Sequence, residues 1–70
     1  MTDSVYKVIE VIGSSATPWE DAAKVALDTV AASLEDLRIA EVVEQDMKIE
    51  GGKIAAYRTK IRVSFRYHAE

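Results

Sequence analysis

The sequence predicts an α+β fold in which one short helix lies between a first strand and a long β-hairpin. Three observations support this order: a β-rich run at Ser4–Ile12, an amphipathic stretch that begins at Thr17, and the pair Gly51-Gly52 between two further β-rich runs. The 70 residues show no repeat, linker or low-complexity segment, so we expect a single domain over residues 1–70.

The first strand is predicted at Ser4–Ile12. After the initial serine, its apolar residues are interrupted only by Lys7 and Glu10. So few polar positions are typical of a strand that is covered on most of both faces. The following Gly13–Ser15 is predicted to end the strand, because glycine and serine favour turns.

The helix is predicted to begin with Thr17 as its N-cap, Pro18 as its first residue and Glu20 as the partner of the cap in a capping box. Apolar residues then recur at spacings of three and four along one side of the helix: Trp19, Ala22, Ala23, Ala26, Val30, Leu34 and Leu37. The alanines allow the helix to approach a sheet closely. Trp19 is expected to anchor the start of the helix in a core or an interface.

The hairpin is predicted to comprise Ile39–Glu50, the turn Gly51-Gly52 and Lys53–His68, because two glycines can both adopt the positive φ of a tight turn. Such a turn places Glu50 opposite Lys53 and fixes the register. The other expected pairs are Ala40 with Val63, Val42 with Ile61, Glu41 with Arg62, Val43 with Lys60, and Gln45 with Arg58. The side chains expected to face the helix are those of Tyr57, Ile61, Val63, Phe65 and Tyr67.

The predicted hairpin is longer than the helix that should cover it. A strand of 12 residues spans about 40 Å, whereas a helix of 18 residues spans about 27 Å. The overhang carries Met47, Ile49, Ile54 and Tyr57, which would be exposed in a monomer. Exposed apolar patches and bare strand edges are poorly tolerated, so we expect other copies of the chain to cover them.

Composition excludes several classes of function. The net charge of −3 argues against general nucleic-acid binding, and no apolar run approaches the ~20 residues of a membrane span. There is no cysteine, and the N-terminus lacks a secretory pattern, so a cytoplasmic protein is expected. The serines have no visible base beside them, and His68 is expected to be a solvated tail residue, so no enzyme is predicted.

Four segments together resemble the dodecin family. They are VYKVIEVIGSS (Val5–Ser15), TPWEDAAKVAL (Thr17–Leu27), LRIAEVVEQDMKIEGGKI (Leu37–Ile54) and YRTKIRVSFRY (Tyr57–Tyr67). The resemblance implies a β-α-β-β fold with a three-stranded antiparallel sheet wrapped around one helix, and assembly into a hollow homododecamer. It also implies a binding and storage protein that sequesters a small ligand at sites between subunits.

Many dodecins bind flavins such as riboflavin and FMN, and the resemblance implies where such a ligand would lie. Ile39 occupies the position of a stacking tryptophan, and Arg58 that of a glutamine that bonds the polar edge of the flavin ring. Some flavin-binding members have two arginines that bind the phosphate of the ligand. Arg66 matches the position of one of them, whereas Asp46 occupies the position of the other. Gln45, expected opposite Arg58, completes the candidate ligand set. Because the tryptophan ring and the glutamine amide are both missing at these positions, flavin binding is expected to be weak.

A second hypothesis is binding of calcium or magnesium. The sequence resembles most the branch of the family that lacks the flavin tryptophan, and that branch has been linked to calcium. The carboxylates of Glu44, Asp46 and Glu50 share one face of the second strand, because residues two apart point the same way. Calcium takes six to eight oxygen ligands, so a full site would need several copies around a symmetry axis. The alternatives are acids paired with Lys53 and Lys60, or a structural assembly without a small ligand.

A basic stripe is expected on the third strand, because alternate residues of a strand share a face. It consists of Arg58, Lys60, Arg62 and Arg66. The stripe is interpreted either as an anion site or as the partner of neighbouring carboxylates, and the second interpretation is favoured because acids outnumber bases.

Overall fold

The computed structural model describes residues 4–67, which contain one helix and three strands in the predicted order. These are β1 (Tyr6–Ser15), α1 (Trp19–Ala31), β2 (Leu37–Glu50) and β3 (Lys53–Arg66). The strands form an antiparallel sheet in the order β1-β3-β2, and the molecule measures 54 × 20 × 16 Å. The helix of the described range is too short and too polar to span a membrane. His68, and with it the predicted end of the hairpin, lies outside the described residues.

Strand β1 continues beyond its predicted end. It pairs with β3 from Tyr6 opposite Arg66 as far as Ser15 opposite Tyr57. Gly13 is therefore not a turn residue. It permits the close approach of the helix, since a Cβ at this position would lie 2.9 Å from the Cβ of Ala26.

The helix begins one residue later than predicted, and the predicted capping box is wrong. Pro18 is the N-cap, and its carbonyl accepts hydrogen bonds from the backbone N–H groups of Asp21 and Ala22 at 3.0 and 3.3 Å. The hydroxyl of Thr17 donates to the Asp21 carboxylate at 2.6 Å instead of capping the backbone. Ser15 holds Thr17 in this position by accepting its backbone N–H at 3.0 Å.

The helix also ends earlier than its apolar pattern predicts. After Ala31 the chain turns, and the backbone N–H of Leu34 donates to the carbonyl of Val30 at 3.0 Å. Asp36 then adopts a positive φ of 60°, and Leu37 begins β2 rather than continuing the helix. With 13 residues the helix is only about 20 Å long, so the overhang of the hairpin is larger than predicted.

The core lies between the small residues of the helix and the central strand. Ala22, Ala26 and Val30 are buried against β1 and β3, and the largest buried apolar side chains are Ile61 and Val63. Partly buried residues complete the cluster: Ile9, Val11, Ala23, Leu27 and Leu37. This core is small for a molecule 54 Å long, because one short helix covers only part of one face of the sheet.

The hairpin turn and the pairs near it are as predicted. Gly51 and Gly52 have φ values of 58° and 75°, and Glu50 pairs with Lys53. At the other end, residues 40–42 pair with residues 61–63, again as predicted.

The middle of the hairpin differs from the prediction by one residue. Two pairs are wrong: Gln45 lies opposite Thr59 rather than Arg58, and Lys60 lies opposite Glu44 rather than Val43. The reason is a pair of β-bulges. One adds a residue to β2 between Val42 and Glu44, and the other adds a residue to β3 beside the pair of Lys48 and Ala56. Asp46 consequently lies opposite Arg58.

A third bulge lies at the start of β2. Leu37 pairs with Phe65, whereas Ile39 pairs with Ser64, so Arg38 is the additional residue. The bulge allows Leu37 to pack against the core while Ile39 points to the opposite face of the sheet.

Candidate functional site

The sheet face that points away from the helix, here called the outer face, carries most of the candidate site residues. They alternate with the core residues along each strand: Tyr6, Val8, Glu10 and Ile12 on β1, Ile39, Glu41, Glu44 and Asp46 on β2, and Arg58, Lys60, Arg62, Ser64 and Arg66 on β3. Glu50 follows on the same face of β2, beside the turn. Gln45 is the exception. It lies opposite the buried Thr59 and therefore belongs to the helix side.

Arg62 links all three strands on the outer face. Its Nη2 lies 2.8 Å from Oε2 of Glu10 on β1, and its Nη1 lies 3.4 Å from Oε1 of Glu41 on β2. The hydrogen bond to Glu10, helped by the charges of both carboxylates, raises the pKa of Arg62. The pair with Glu41 was predicted, whereas the contact with Glu10 depends on the register of β1, which no local pattern in the sequence indicates.

Arg58 and Asp46 form a two-pronged ion pair. The Nε and Nη2 atoms of Arg58 donate to the two carboxylate oxygens of Asp46 at 2.7 and 2.8 Å. This hydrogen bonding lowers the pKa of Asp46, and the charge of Lys60 adds to the effect. The same contact raises the pKa of Arg58. Its guanidinium is thus already occupied by a carboxylate of the same chain.

The other two candidate metal ligands are also paired with bases. Glu44 lies 3.3 Å from Nζ of Lys60, and Glu50, although it lies opposite Lys53 in the ladder, has its carboxylate 3.2 Å from Nζ of Lys48. Within residues 4–67, no three acidic or histidine side chains come close enough to hold a metal ion. A cation site built from these carboxylates would therefore need more than one copy of the chain.

Ile39 is the most exposed large apolar residue of the outer face, at 68%. It lines a cleft of about 320 Å³ together with Tyr6, Arg38 and Ser64. The hydroxyl of Ser64 lies 3.5 Å from the carbonyl oxygen of Ile39 across the strand pair. Tyr6 and Arg38 were not predicted as site residues, because the first depends on the register of β1 and the second on a bulge.

Trp19 acts as an anchor at the start of the helix, as predicted. Its ring meets the ring of Tyr57 edge-on, with 4.9 Å between centroids and an interplanar angle of 71°. Its indole N–H donates to the backbone carbonyl of Asp46 at 3.1 Å. Tyr57 is half-buried, so the expectation that this overhang residue is exposed was wrong.

Comparison with known proteins identifies the family. The family model described as Dodecin matches residues 5–68, which is nearly the whole chain. The chain belongs to the dodecin family. The fold supports this assignment, because the β-α-β-β order and the antiparallel sheet match solved dodecin structures. Dodecins are binding and storage proteins.

Several dodecins resemble this chain in sequence or structure. It is 48% identical to "Calcium dodecin" of Mycobacterium tuberculosis over 63 residues, which cover 90% of this chain and 89% of that protein. The crystal structure of that calcium-chelating antigen, described as having a novel calcium-binding site, has a TM-score of 0.85 at 46% identity and 93% coverage of both chains. Dodecin from Streptomyces coelicolor has a TM-score of 0.92 at 27% identity and covers 100% of both chains.

Proposed function

We propose that this dodecin assembles into a hollow homododecamer and holds a small ligand where its subunits meet. The supporting observation is the large amount of apolar side chain that one copy leaves exposed. The large apolar residues concerned are Val5, Tyr6, Val8, Ile12, Val25, Ile39, Val42, Met47, Ile49, Ile54 and Tyr67. In the described residues, β1 and β2 also each leave one edge unpaired. A chain with so small a core gains stability when copies cover these surfaces.

Native mass spectrometry of freshly purified protein tests the assembly. We expect a complex of twelve times the chain mass of 7.7 kDa, with any retained ligand visible as added mass. A folded monomer at micromolar concentration and neutral pH would contradict the proposal.

For the ligand, we propose a divalent cation, calcium in the first place, held by carboxylates from several copies. The similarity to a calcium dodecin and the row of acids on the outer face support this choice. Glu44 and Glu50 each have a side chain that is 63% exposed and a single contact to a lysine. Asp46 is held by two hydrogen bonds to Arg58, so we expect it to contribute less.

Thermal denaturation in calcium and in EDTA tests the cation site. At a calcium concentration of about 100 times Kd, binding should stabilise each site by about 2.7 kcal/mol, and EDTA should reverse the effect. Glu44→Gln and Glu50→Gln should weaken the response. Glu35→Gln is the matched control, because Glu35 is an exposed carboxylate outside the sheet. A melting temperature that neither calcium nor EDTA changes would contradict the proposal and favour a structural assembly.

Flavin is the second candidate ligand, supported by family membership. Ile39 offers an apolar surface without a ring, and Arg58 is occupied by Asp46. We therefore expect riboflavin and FMN to bind weakly, with their fluorescence unquenched in the presence of the assembled protein. Strong quenching would contradict this expectation. We further propose that the protein is not an enzyme, and its cytoplasmic location stays a prediction.

A further inference from the structure

The first residue of the helix, Trp19, forms a direct link between the helix and the edge strand β2. Its indole N–H donates to the backbone carbonyl of Asp46 at 3.1 Å. The buried side chains of the helix pack instead against β1 and β3. Within residues 4–67, no other hydrogen bond joins α1 to β2. The indole N–H is therefore the one directional restraint that the helix places on this strand.

The same side chain also contacts β3, level with its bond to β2. The ring of Trp19 meets that of Tyr57 edge-on, with 4.9 Å between centroids. Tyr57 lies opposite Met47, the residue that follows Asp46. Both contacts fall in the part of the hairpin between the two bulges, where residues 44–48 pair with residues 56–60. Because bulges interrupt the regular ladder, a side chain that contacts both strands here limits how the segment can move.

The restrained backbone carries two of the three carboxylates proposed as cation ligands. Asp46 is the bonded residue itself, and Glu44 precedes it by two positions on the same face of the strand. The side chain of Glu44 is 63% exposed, and its contact in the chain is to Nζ of Lys60 at 3.3 Å. An exposed ion pair of this kind restrains a side chain only weakly. The position of the Glu44 carboxylate therefore depends mainly on the backbone that carries it.

A cation site shared between copies needs its ligands held in place, because each copy supplies only part of the six to eight oxygens that calcium takes. Groups that support ligands from outside the coordination sphere orient them, and their loss typically lowers metal affinity by about 10–100-fold. We propose that Trp19 is such a positioning residue. By bonding the backbone of Asp46, it holds the carboxylate of Glu44 where a shared cation can reach it. This inference rests on the proposed cation site and names the group that prepares it.

Calorimetric titration of the purified oligomer with calcium chloride tests the proposal, and native mass spectrometry shows whether the compared samples are equally assembled. Trp19→Phe keeps an aromatic ring beside Tyr57 but removes the N–H donor, so we expect calcium to bind about tenfold more weakly. Gly13→Ala is the matched control, because it disturbs the packing of the same helix against β1 without touching β2. Its calcium affinity should stay close to that of the parent.

A double-mutant cycle with Glu44 separates positioning from a general loosening of the fold. Removing the N–H of Trp19 should matter less once the carboxylate that it positions is gone. In the Glu44→Gln background, Trp19→Phe should therefore change the calcium affinity by less than about twofold. An equal effect of Trp19→Phe in both backgrounds would overturn the proposal, as would equal weakening by Gly13→Ala.

Trp19 is the only tryptophan of the chain, so its fluorescence gives a second measurement that needs no variant. We expect the emission of the parent to change on calcium addition with the midpoint of the calorimetric titration, because the indole bonds the strand that carries the ligands. Unchanged emission while calorimetry detects binding would overturn the proposal. A parent that binds no calcium contradicts the cation site itself, whereas a Trp19→Phe variant that binds calcium as tightly as the parent contradicts only the role of Trp19.

Discussion

The buried hydroxyl of Thr59 on the central strand donates a hydrogen bond to the backbone carbonyl of Trp19 at 3.0 Å. Thr59 is completely inaccessible to solvent, and among residues 4–67 it is the one buried polar residue. Its bond ties the first turn of the helix to the middle of the sheet. The neighbouring Trp19 side chain reaches across to β2 through its bond to Asp46, so the start of the helix is fixed to two strands.

Replacing Thr59 by valine should destabilise the protein by about 1 kcal/mol, because valine has the same shape but cannot donate the hydrogen bond. The carbonyl of Trp19 keeps its ordinary acceptor role within the helix, so the loss should not be larger. Urea denaturation at fixed subunit concentration measures it. Thr29→Val is the matched control, since its hydroxyl bonds a helix carbonyl at the surface. Equal losses in the two variants would contradict a special role for Thr59.

Replacing Arg62 by glutamate should lower stability and weaken assembly. The change removes the link between Glu10 and Glu41 and places a third carboxylate between them. Melting temperature and the dodecamer fraction in native mass spectra should both fall. Lys24→Glu makes the same charge change on the exposed helix surface, beside Asp28, and should have a smaller effect. A variant of Arg62 as stable and as oligomeric as the parent would show that this network is dispensable.

The ion pair of Asp46 and Arg58 should make stability depend on pH on the acid side. Because folding lowers the pKa of Asp46, the stabilisation is complete above the ordinary carboxyl pKa and is lost as the pH falls through the lowered value. Asp46→Asn should therefore be less stable than the parent at neutral pH, and this difference should shrink below about pH 4. Melting curves from pH 3 to 7 test the sign. Glu35→Gln is the control at neutral pH, because it also neutralises an exposed carboxylate but removes no ion pair in residues 4–67, and it should be about as stable as the parent there.

Adding a methyl group at Gly13 should cost about 1–3 kcal/mol. A Cβ there would lie 2.9 Å from the Cβ of Ala26 and would also meet the backbone of Ala22, so strand and helix would have to move apart. Ser14→Ala, at an exposed position next along the strand, should be close to neutral. Denaturant unfolding compares the two. A neutral Gly13→Ala would mean that the helix has room to shift.

Much of the fold follows from local sequence signals. The double glycine determines the turn, and the alternation on β3 identifies Ile61 and Val63 as core residues. The predictions of the fold are wrong where a contact between distant parts of the chain outweighs a local structural preference. Glycine is typical of turns, but Gly13 lies within β1, where the lack of a side chain allows the helix to approach the strand closely. Leu37 continues the helical spacing, but it is the first residue of β2 and packs against the core from there.

The site was predictable only in part, for a geometric reason. Exposure of Ile39 and the shared face of the three acids follow from alternation along β2. The bases that pair with those acids do not follow from alternation, because each bulge changes which residue of β3 lies opposite a given residue of β2. The contact of Arg62 with Glu10 and the position of Tyr6 depend on the pairing of residues more than 50 apart in sequence.

The two opposed bulges of the hairpin leave the pairs at both ends unchanged while shifting the segment between them. The same ends would also permit a regular alignment, in which Arg58 would meet Gln45 and Lys60 would meet Val43. That alignment would turn Glu44 and Asp46 toward the helix. The bulges instead place Glu44 opposite Lys60 and Asp46 opposite Arg58, so both carboxylates stay on the outer face within reach of a base.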